Sequence, residues 1–223
     1  MSRIGVVVFP GSNCEYDAAS AVTQLGATAE FVWHGQDNVD GFDGIILPGG
    51  FAHGDYLRPG ALARFSPVMN AVASFANAGG AVLGICNGFQ VLTEAGLLPG
   101  ALQKNRGLTF LCHPTTLIVE STKSVLTLNA TKGQELSIPI NHFSGSYTCD
   151  DKTYDELVAN DQIVLRYKEN PNGSRDDIAG DSNLNGNVVG LMPHPERAMS
   201  LLLGSADGQV LLSSFISKTL SVR

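Results

Sequence analysis

Ala81-Val-Leu-Gly-Ile-Cys86-Asn-Gly-Phe-Gln90 decides how this chain folds. Ala81 to Ile85 is a short run without a polar position, as expected of a strand buried on both faces. A helix is predicted over Gln90 to Ala95, and Gly84-Ile-Cys86-Asn-Gly88 lies between the two. A strand turning directly into a helix, with glycine two residues either side of a central residue, is the pattern of a nucleophile elbow, here with cysteine in place of serine. The turn is so sharp that its neighbours must lack side chains. It lifts the sulfur above the sheet edge and sets it at a helix N-terminus, where the dipole and free N–H groups favour thiolate over thiol. A lone cysteine in a glycine-rich turn is more often a small buried hydrophobe. The paired glycines and the strand–helix context weigh against that for Cys86.

Working outward, the same alternation recurs. Ile4 to Phe9 is another all-apolar, β-branched run, followed by a turn at Pro10-Gly11. Ser12-x-x-Glu15 matches a capping box that opens a helix to about Leu25, before Gly26. Ala29 to Trp33 and Gly44 to Leu47 read as strands, and Phe65 to Ala78 as a helix ended by Gly79-Gly80. Buried strands alternating with helices imply an open, mostly parallel α/β sheet. The middle differs: Thr115 to Val119, Ser124 to Leu128 and Glu135 to Ile140 are expected as antiparallel strands. Residues 170–187, rich in Asn, Gly, Asp and Ser, read as an ordered loop or hairpin tip. Val188 to Leu191 is a last apolar strand, and a helix from about Asp207 to Leu220 follows. No repeat or linker interrupts the pattern, so one domain is expected over residues 1–223.

Met192-Pro-His194-Pro-Glu196-Arg197 directly follows that last strand. Parallel strands end on a common edge, where ligands gather, so Cys86 and His194 are expected to meet there. Pro195 disfavours helical geometry at His194. In an extended chain residues two apart face the same way, which brings Glu196 beside the His194 ring. Nucleophile, base and orienting carboxylate are then complete. Acyl chemistry at a thiolate also needs N–H donors aimed at the developing oxyanion. The Asn87 N–H is one candidate. Gly50, in Leu47-Pro-Gly-Gly-Phe51 after a neighbouring strand, is the other, with Gly49 the near alternative.

Other chemistries find less support. A formal net charge of -7 with no Lys/Arg run disfavours nucleic-acid binding. The 43% hydrophobic and 16% charged content is that of a globular chain. No segment approaches the ~20 apolar residues of a membrane span, and no targeting signal is evident. Four scattered cysteines without a C-x-x-C motif suggest reduced thiols and a cytoplasmic protein. There is neither G-x-G-x-x-G nor a phosphate-binding loop. His53-Gly-Asp55 offers two metal ligands, too few for a site, so no metal is expected. Cys112-His113 is expected to pack in the core, and His142 to line the active-site edge.

The elbow together with His194-Pro-Glu196 resembles the class I, triad-type glutamine amidotransferases. The resemblance is closer still to the glutaminase subunits of phosphoribosylformylglycinamidine synthase. It is carried by Gly11-Ser-Asn-Cys14, Leu47-Pro-Gly-Gly-Phe51, Gly54-Asp-Tyr-Leu-Arg58 and Gly84-Ile-Cys-Asn-Gly-Phe-Gln90. Thr93-Glu-Ala-Gly-Leu-Leu-Pro-Gly100, Asn170-Pro-Asn-Gly-Ser174 and Leu191-Met-Pro-His-Pro-Glu-Arg197 extend it over nearly the whole chain. The resemblance implies a flavodoxin-like sheet with a small antiparallel extension and a catalytic Cys86, His194 and Glu196, with Gln90 near the glutamine. It implies ammonia supply to a large, PurL-type synthetase subunit that uses ATP and magnesium on formylglycinamide ribonucleotide, in purine biosynthesis. It implies a further partner, a small PurS-type bridging subunit, and no cofactor in this chain. One departure stands out: where the family usually continues His-Gly-Glu-Gly-Arg, this chain reads His142-Phe-Ser-Gly-Ser146. A stand-alone cysteine hydrolase of the same architecture is an alternative, which glutamine turnover separates. So is a catalytically silent binding subunit, which a Cys86-directed glutamine analogue separates.

Overall fold

The computed structural model describes residues 1–220. β1 (Arg3–Val8), α1 (Glu15–Gln24), β2 (Thr28–Trp33), β3 (Gly44–Leu47), α2 (Pro67–Asn77), β4 (Ala81–Ile85) and α3 (Asn87–Glu94) form the alternating first half. Four more strands follow: β5 (Ala101–Lys104), β6 (Leu111–Val119), β7 (Glu135–His142) and β8 (Ser144–Thr148). α4 (Asp151–Ala159) then leads to β9 (Ile163–Tyr167), β10 (Ile178–Ser182), β11 (Val188–Leu191) and α5 (Gly208–Leu220).

One nine-stranded sheet runs in the order β2-β1-β3-β4-β11-β10-β9-β6-β7. Its first five strands are parallel, in the order of a flavodoxin-like sheet. Every residue of β3, β4 and β11 is buried, because both faces are covered and no position can be polar. The antiparallel extension is not a separate layer. It continues the same sheet through β10, β9, β6 and β7, with β5 and β8 pairing as a second, two-stranded sheet. Leu47 stands in register with Gly84, and Leu191 with Ile85, so β3, β4 and β11 finish on one edge.

Several expectations fail for physical reasons. Ser124 to Leu128 is a turn, not a strand: Thr127 N–H bonds Ser124 O at 3.1 Å and the two hydroxyls meet at 2.8 Å. These local bonds compete with a ladder, while Val125 and Leu126 still reach the core. The capping box does not form, since Ser12 Oγ accepts from Phe9 N–H and Cys14 is the N-cap of α1. Residues 183–187 are a hairpin tip as expected, but 178–182 is the buried strand β10. Cys112 and His113 are exposed rather than core residues. β6 overruns β9, which pairs only with Leu117–Val119, and leaves its first residues on an overhang held by β7 alone.

Candidate active site

Cys86 occupies a position with φ 50° and ψ -104°, a strained conformation for a residue with a side chain. Its neighbours hold it there. Cys86 N–H donates to Leu191 O at 2.8 Å, and Gln90 N–H to Cys86 O at 3.2 Å. A Cβ on Gly88 would lie 1.9 Å from Leu47 O, and one on Gly84 would lie 2.7 Å from the Gly88 carbonyl carbon. Gly84 thus faces the backbone of Gly88, Gly88 faces the end of β3, and α3 begins in backbone contact with β3. That contact is what the G-x-C-x-G spacing provides.

His194 follows β11 on the same edge. Its N–H donates to Pro139 O at 2.8 Å, and its Nδ1 lies 2.6 Å from Glu196 Oε1, with both side chains essentially inaccessible. The expected extended path between them is not found. Pro195–Arg197 is a 3₁₀ turn, and it is this turn that swings Glu196 back onto the ring. Burial alone pushes His194 towards neutrality; Glu196, Cys86 and Cys14 together outweigh it and raise the ring well above its ordinary range. His194 Nε2 has no hydrogen-bond partner among the described residues and is left for the reacting groups. His142 also lines the site, as expected, but burial first, then His194 and His113, push it down to about 4. It stays neutral at physiological pH and is far less basic than His194.

Cys14 is a participant that its residue type did not announce. It is buried, its Sγ accepts from Arg197 Nη2 at 3.2 Å, and Arg197 Nε bonds Asp17 at 3.2 Å. Donor atoms of Cys14, His194 and Glu196 lie within 4.8 Å of one another, the one metal-ligand-like trio among the described residues. His53 and Asp55 do not belong to it. His194 Nδ1 is engaged by Glu196 and the Cys14 sulfur by Arg197, so the trio forms a hydrogen-bonded surround of the His194 ring.

Gly49 and Gly50 have different duties. A Cβ on Gly49 would sit 2.7 Å from His194 Cε1 and 3.0 Å from Cys14 Sγ. Gly50 has φ 144°, open only to glycine. Gly49 O accepts from the N–H groups of Asn13 and Cys14 at 3.4 and 3.3 Å. The Gly49–Gly50 peptide is trans, so the Gly50 N–H points the opposite way. Asn87 opens α3, so its N–H has no intrahelical acceptor.

These groups border a cavity of about 800 Å³, whose walls include Cys86, His194, Gly50, Gln90, Asp55 and His142. Gln90 is locked: its Nε2 donates to Ser144 O at 2.5 Å and its Oε1 accepts from Asn87 Nδ2 at 2.8 Å. Asn87 Oδ1 accepts from Ala52 N–H at 3.0 Å. The segment departing from the family pattern lines the cavity with His142, Phe143 and Ser144, and its backbone bonds Gln90 through Ser144 O and Asn172 Nδ2 through Gly145 O, the latter at 2.8 Å.

Comparison with known proteins agrees with this geometry. Residues 1–209 match the CobB/CobQ-like glutamine amidotransferase domain. The chain is 52% identical over 216 residues to the phosphoribosylformylglycinamidine synthase subunit PurQ of Prochlorococcus marinus (strain NATL2A), covering 96% of this chain and all of that one. A chain in the structure of PurLQS from Thermotoga maritima superposes with TM-score 0.90 at 44% identity, covering 97% of this chain and 98% of that one. A Thermoplasma acidophilum protein, described as part of a GMP synthase, shares the fold alone, with TM-score 0.70 at 18% identity over the whole of this chain and 96% of that one. An elbow cysteine, a buried His–Glu pair on the same sheet edge and this near-complete likeness lead to one conclusion: the chain belongs to the glutamine amidotransferases, among the PurQ subunits of phosphoribosylformylglycinamidine synthase.

Proposed function

We propose that Cys86, His194 and Glu196 carry out the glutaminase reaction of this family, with Gly50 and Asn87 as oxyanion donors. His194 Nε2 takes the Cys86 thiol proton, and the sulfur attacks the side-chain amide carbon of glutamine. The carbonyl electrons move onto oxygen, where the two N–H groups receive the charge. His194 then protonates the departing nitrogen, and ammonia leaves a thioester on Cys86. Water, deprotonated by the same imidazole, hydrolyses that thioester to glutamate and frees the thiol. Glu196 holds the ring in the tautomer with the proton on Nδ1 and exchanges no proton itself. Gln90 borders the glutamine and fixes Asn87 behind the nucleophile. The observation that carries this reading is the buried 2.6 Å His194–Glu196 pair at the strand edge where the Cys86 elbow ends.

The ammonia serves a PurL-type synthetase that converts formylglycinamide ribonucleotide to the amidine, with ATP and magnesium bound by that partner, a small PurS-type subunit bridging the two, and the cytoplasm as the setting. Ammonia released by an unpartnered subunit would be lost, so docking is expected to switch the glutaminase on, by shifting a site that is only fractionally competent alone. Two measurements test the reading. Glutamate formation by the isolated chain should be slow and rise on adding synthetase, ATP and nucleotide; equal rates overturn the activation. Cys86→Ala should abolish glutamine-dependent synthesis yet leave ammonia-dependent synthesis in the assembled enzyme. Loss of both in a folded complex would give Cys86 another role.

A further inference from the structure

Glutamine enters as a zwitterion, and its amide end accounts for only part of the cavity. The remaining walls are unevenly charged. Among the described residues lining it, Asp55 carries the one carboxylate, against the cations Arg58, Lys104 and Arg106. Arg58 is engaged by both oxygens of Glu94, each at 2.6 Å, whereas Lys104 and Arg106 make no ion pair among the described residues. Asp55 likewise has no cation. Its Oδ1 accepts only from Asn87 Nδ2, at 3.2 Å, and burial pushes its carboxyl up to about 6.

The backbone that presents Asp55 is costly. His53, Gly54, Asp55 and Leu57 all have positive φ, at 54, 66, 52 and 70°. Left-handed conformations of residues with side chains persist where surrounding contacts over-determine them, and they cluster at ligand clamps. Here Pro10 O holds His53 N–H, Phe51 O holds Gly54 N–H, and Asn87 holds Ala52 N–H through Oδ1 and Asp55 through Nδ2. The same Asn87 offers its backbone N–H at the amide end. One residue thus links the amide end of the cavity to the carboxylate of Asp55.

We infer that Asp55 receives the α-ammonium of glutamine and selects for it, with Lys104 and Arg106 on the opposite side of the charge pattern for the α-carboxylate. Asp55 then acts in recognition, not in the acyl chemistry. The inference rests on the glutaminase reading above and names the substrate contact of that site.

The test compares glutamine with glutaramate, the same amide and carboxylate without the ammonium, using the chain assembled with its synthetase. Asp55→Asn suits it, because asparagine tolerates a left-handed backbone and still accepts from Asn87, so the charge alone is lost. A hydrogen-bonded charge contact of this kind corresponds to a fall of about 10–100-fold in kcat/KM for glutamine. The fall is expected in KM rather than kcat, with glutaramate far less affected, so that the preference for glutamine collapses. Asp55→Glu should restore part of it. A melting temperature at or above that of the unaltered chain establishes that the variant is folded. Unchanged KM and unchanged preference in a folded variant overturn the inference. Failure of the unaltered complex to hydrolyse glutamine at all overturns both it and the reading beneath it.

Discussion

Replacing Glu196 by Gln tests the triad with the smallest change in shape. The carboxylate accepts from His194 Nδ1 through Oε1 at 2.6 Å, while its Oε2 is buried without a partner among the described residues. A Gln amide then has two poor choices. With its oxygen on Nδ1 the tautomer survives, but the negative charge is gone and the NH₂ replaces Oε2 where nothing accepts, leaving a buried donor that costs about 1–3 kcal/mol. With its NH₂ on Nδ1 the donor is satisfied, but the ring proton must move to Nε2, and Nε2 then cannot take the thiol proton. Either way the imidazolium formed during attack loses its counter-charge in a site shielded from water, where such a charge matters most. A fall in kcat of about 10²–10⁴, or about 2.7–5.4 kcal/mol in the barrier, follows by analogy with other orienting carboxylates. The loss should be smaller than for Cys86→Ala. Glutamate release by the assembled enzyme measures it, and the ammonia-dependent reaction serves as an internal control. Near-normal glutamine turnover in a folded Glu196→Gln protein would refute the orienting role and the argument from tautomers with it.

Gly88→Ala forces a Cβ to 1.9 Å from the Leu47 carbonyl oxygen; backbone meets backbone there, so urea unfolding should show a loss of about 1–3 kcal/mol, with glutaminase activity falling further because the elbow moves. Gly107→Ala, whose Cβ would meet only Thr109 Oγ1 at 3.5 Å and whose φ is not positive, should cost less. Asp55→Asn should change stability with a definite sign. The folded carboxyl titrates at about 6, above its ordinary 3.8, so the fold binds that proton more tightly than the unfolded chain does. The unaltered protein therefore loses stability as pH rises from below 4 through 6, and the Asn variant should melt higher than it at pH 8 and level with it at pH 3.5; a lower melting temperature at pH 8 would contradict this. Iodoacetamide should label Cys86 ahead of the exposed Cys112, since Cys86 lies at a helix N-terminus facing a base and a cavity; peptide mapping decides it.

The parallel half of the sheet was legible because its strands obey one simple constraint. With both faces covered, β3, β4 and β11 can contain only apolar residues and glycine, and their ends show as abrupt changes in composition. The elbow was legible for a related reason: Gly84 and Gly88 are dictated by backbone packing, which leaves a mark in the sequence itself. β10 left no such mark. Its Gly180 lies against Gly190 O, and its Asp181, fully buried and pushed well above the ordinary carboxylate range, accepts from Tyr147 Oη at 2.9 Å. A strand stabilised by close backbone approach and one distant tyrosine reads as a polar loop. The triad divides along the same line. The His194–Glu196 contact was foreseeable from sequence nearness, but its route through a 3₁₀ turn was not, since proline in second place fits either path. Cys14 and Asp55 depend on partners that only topology supplies: Arg197 lies 183 residues from Cys14, and Asn87 lies 32 from Asp55. Two adjacent glycines make the limit plainest. In sequence Gly50 was the first candidate for an oxyanion donor and Gly49 the near alternative. In the fold one is small because His194 and Cys14 press against it, and the other because its backbone turns where no side chain can follow. Residue type restricted the choice to glycine, but distant parts of the chain add the reason: His194 and Cys14 crowd Gly49, and a Cβ on Gly50 would lie 2.8 Å from Asn13 N and Ser12 Cα.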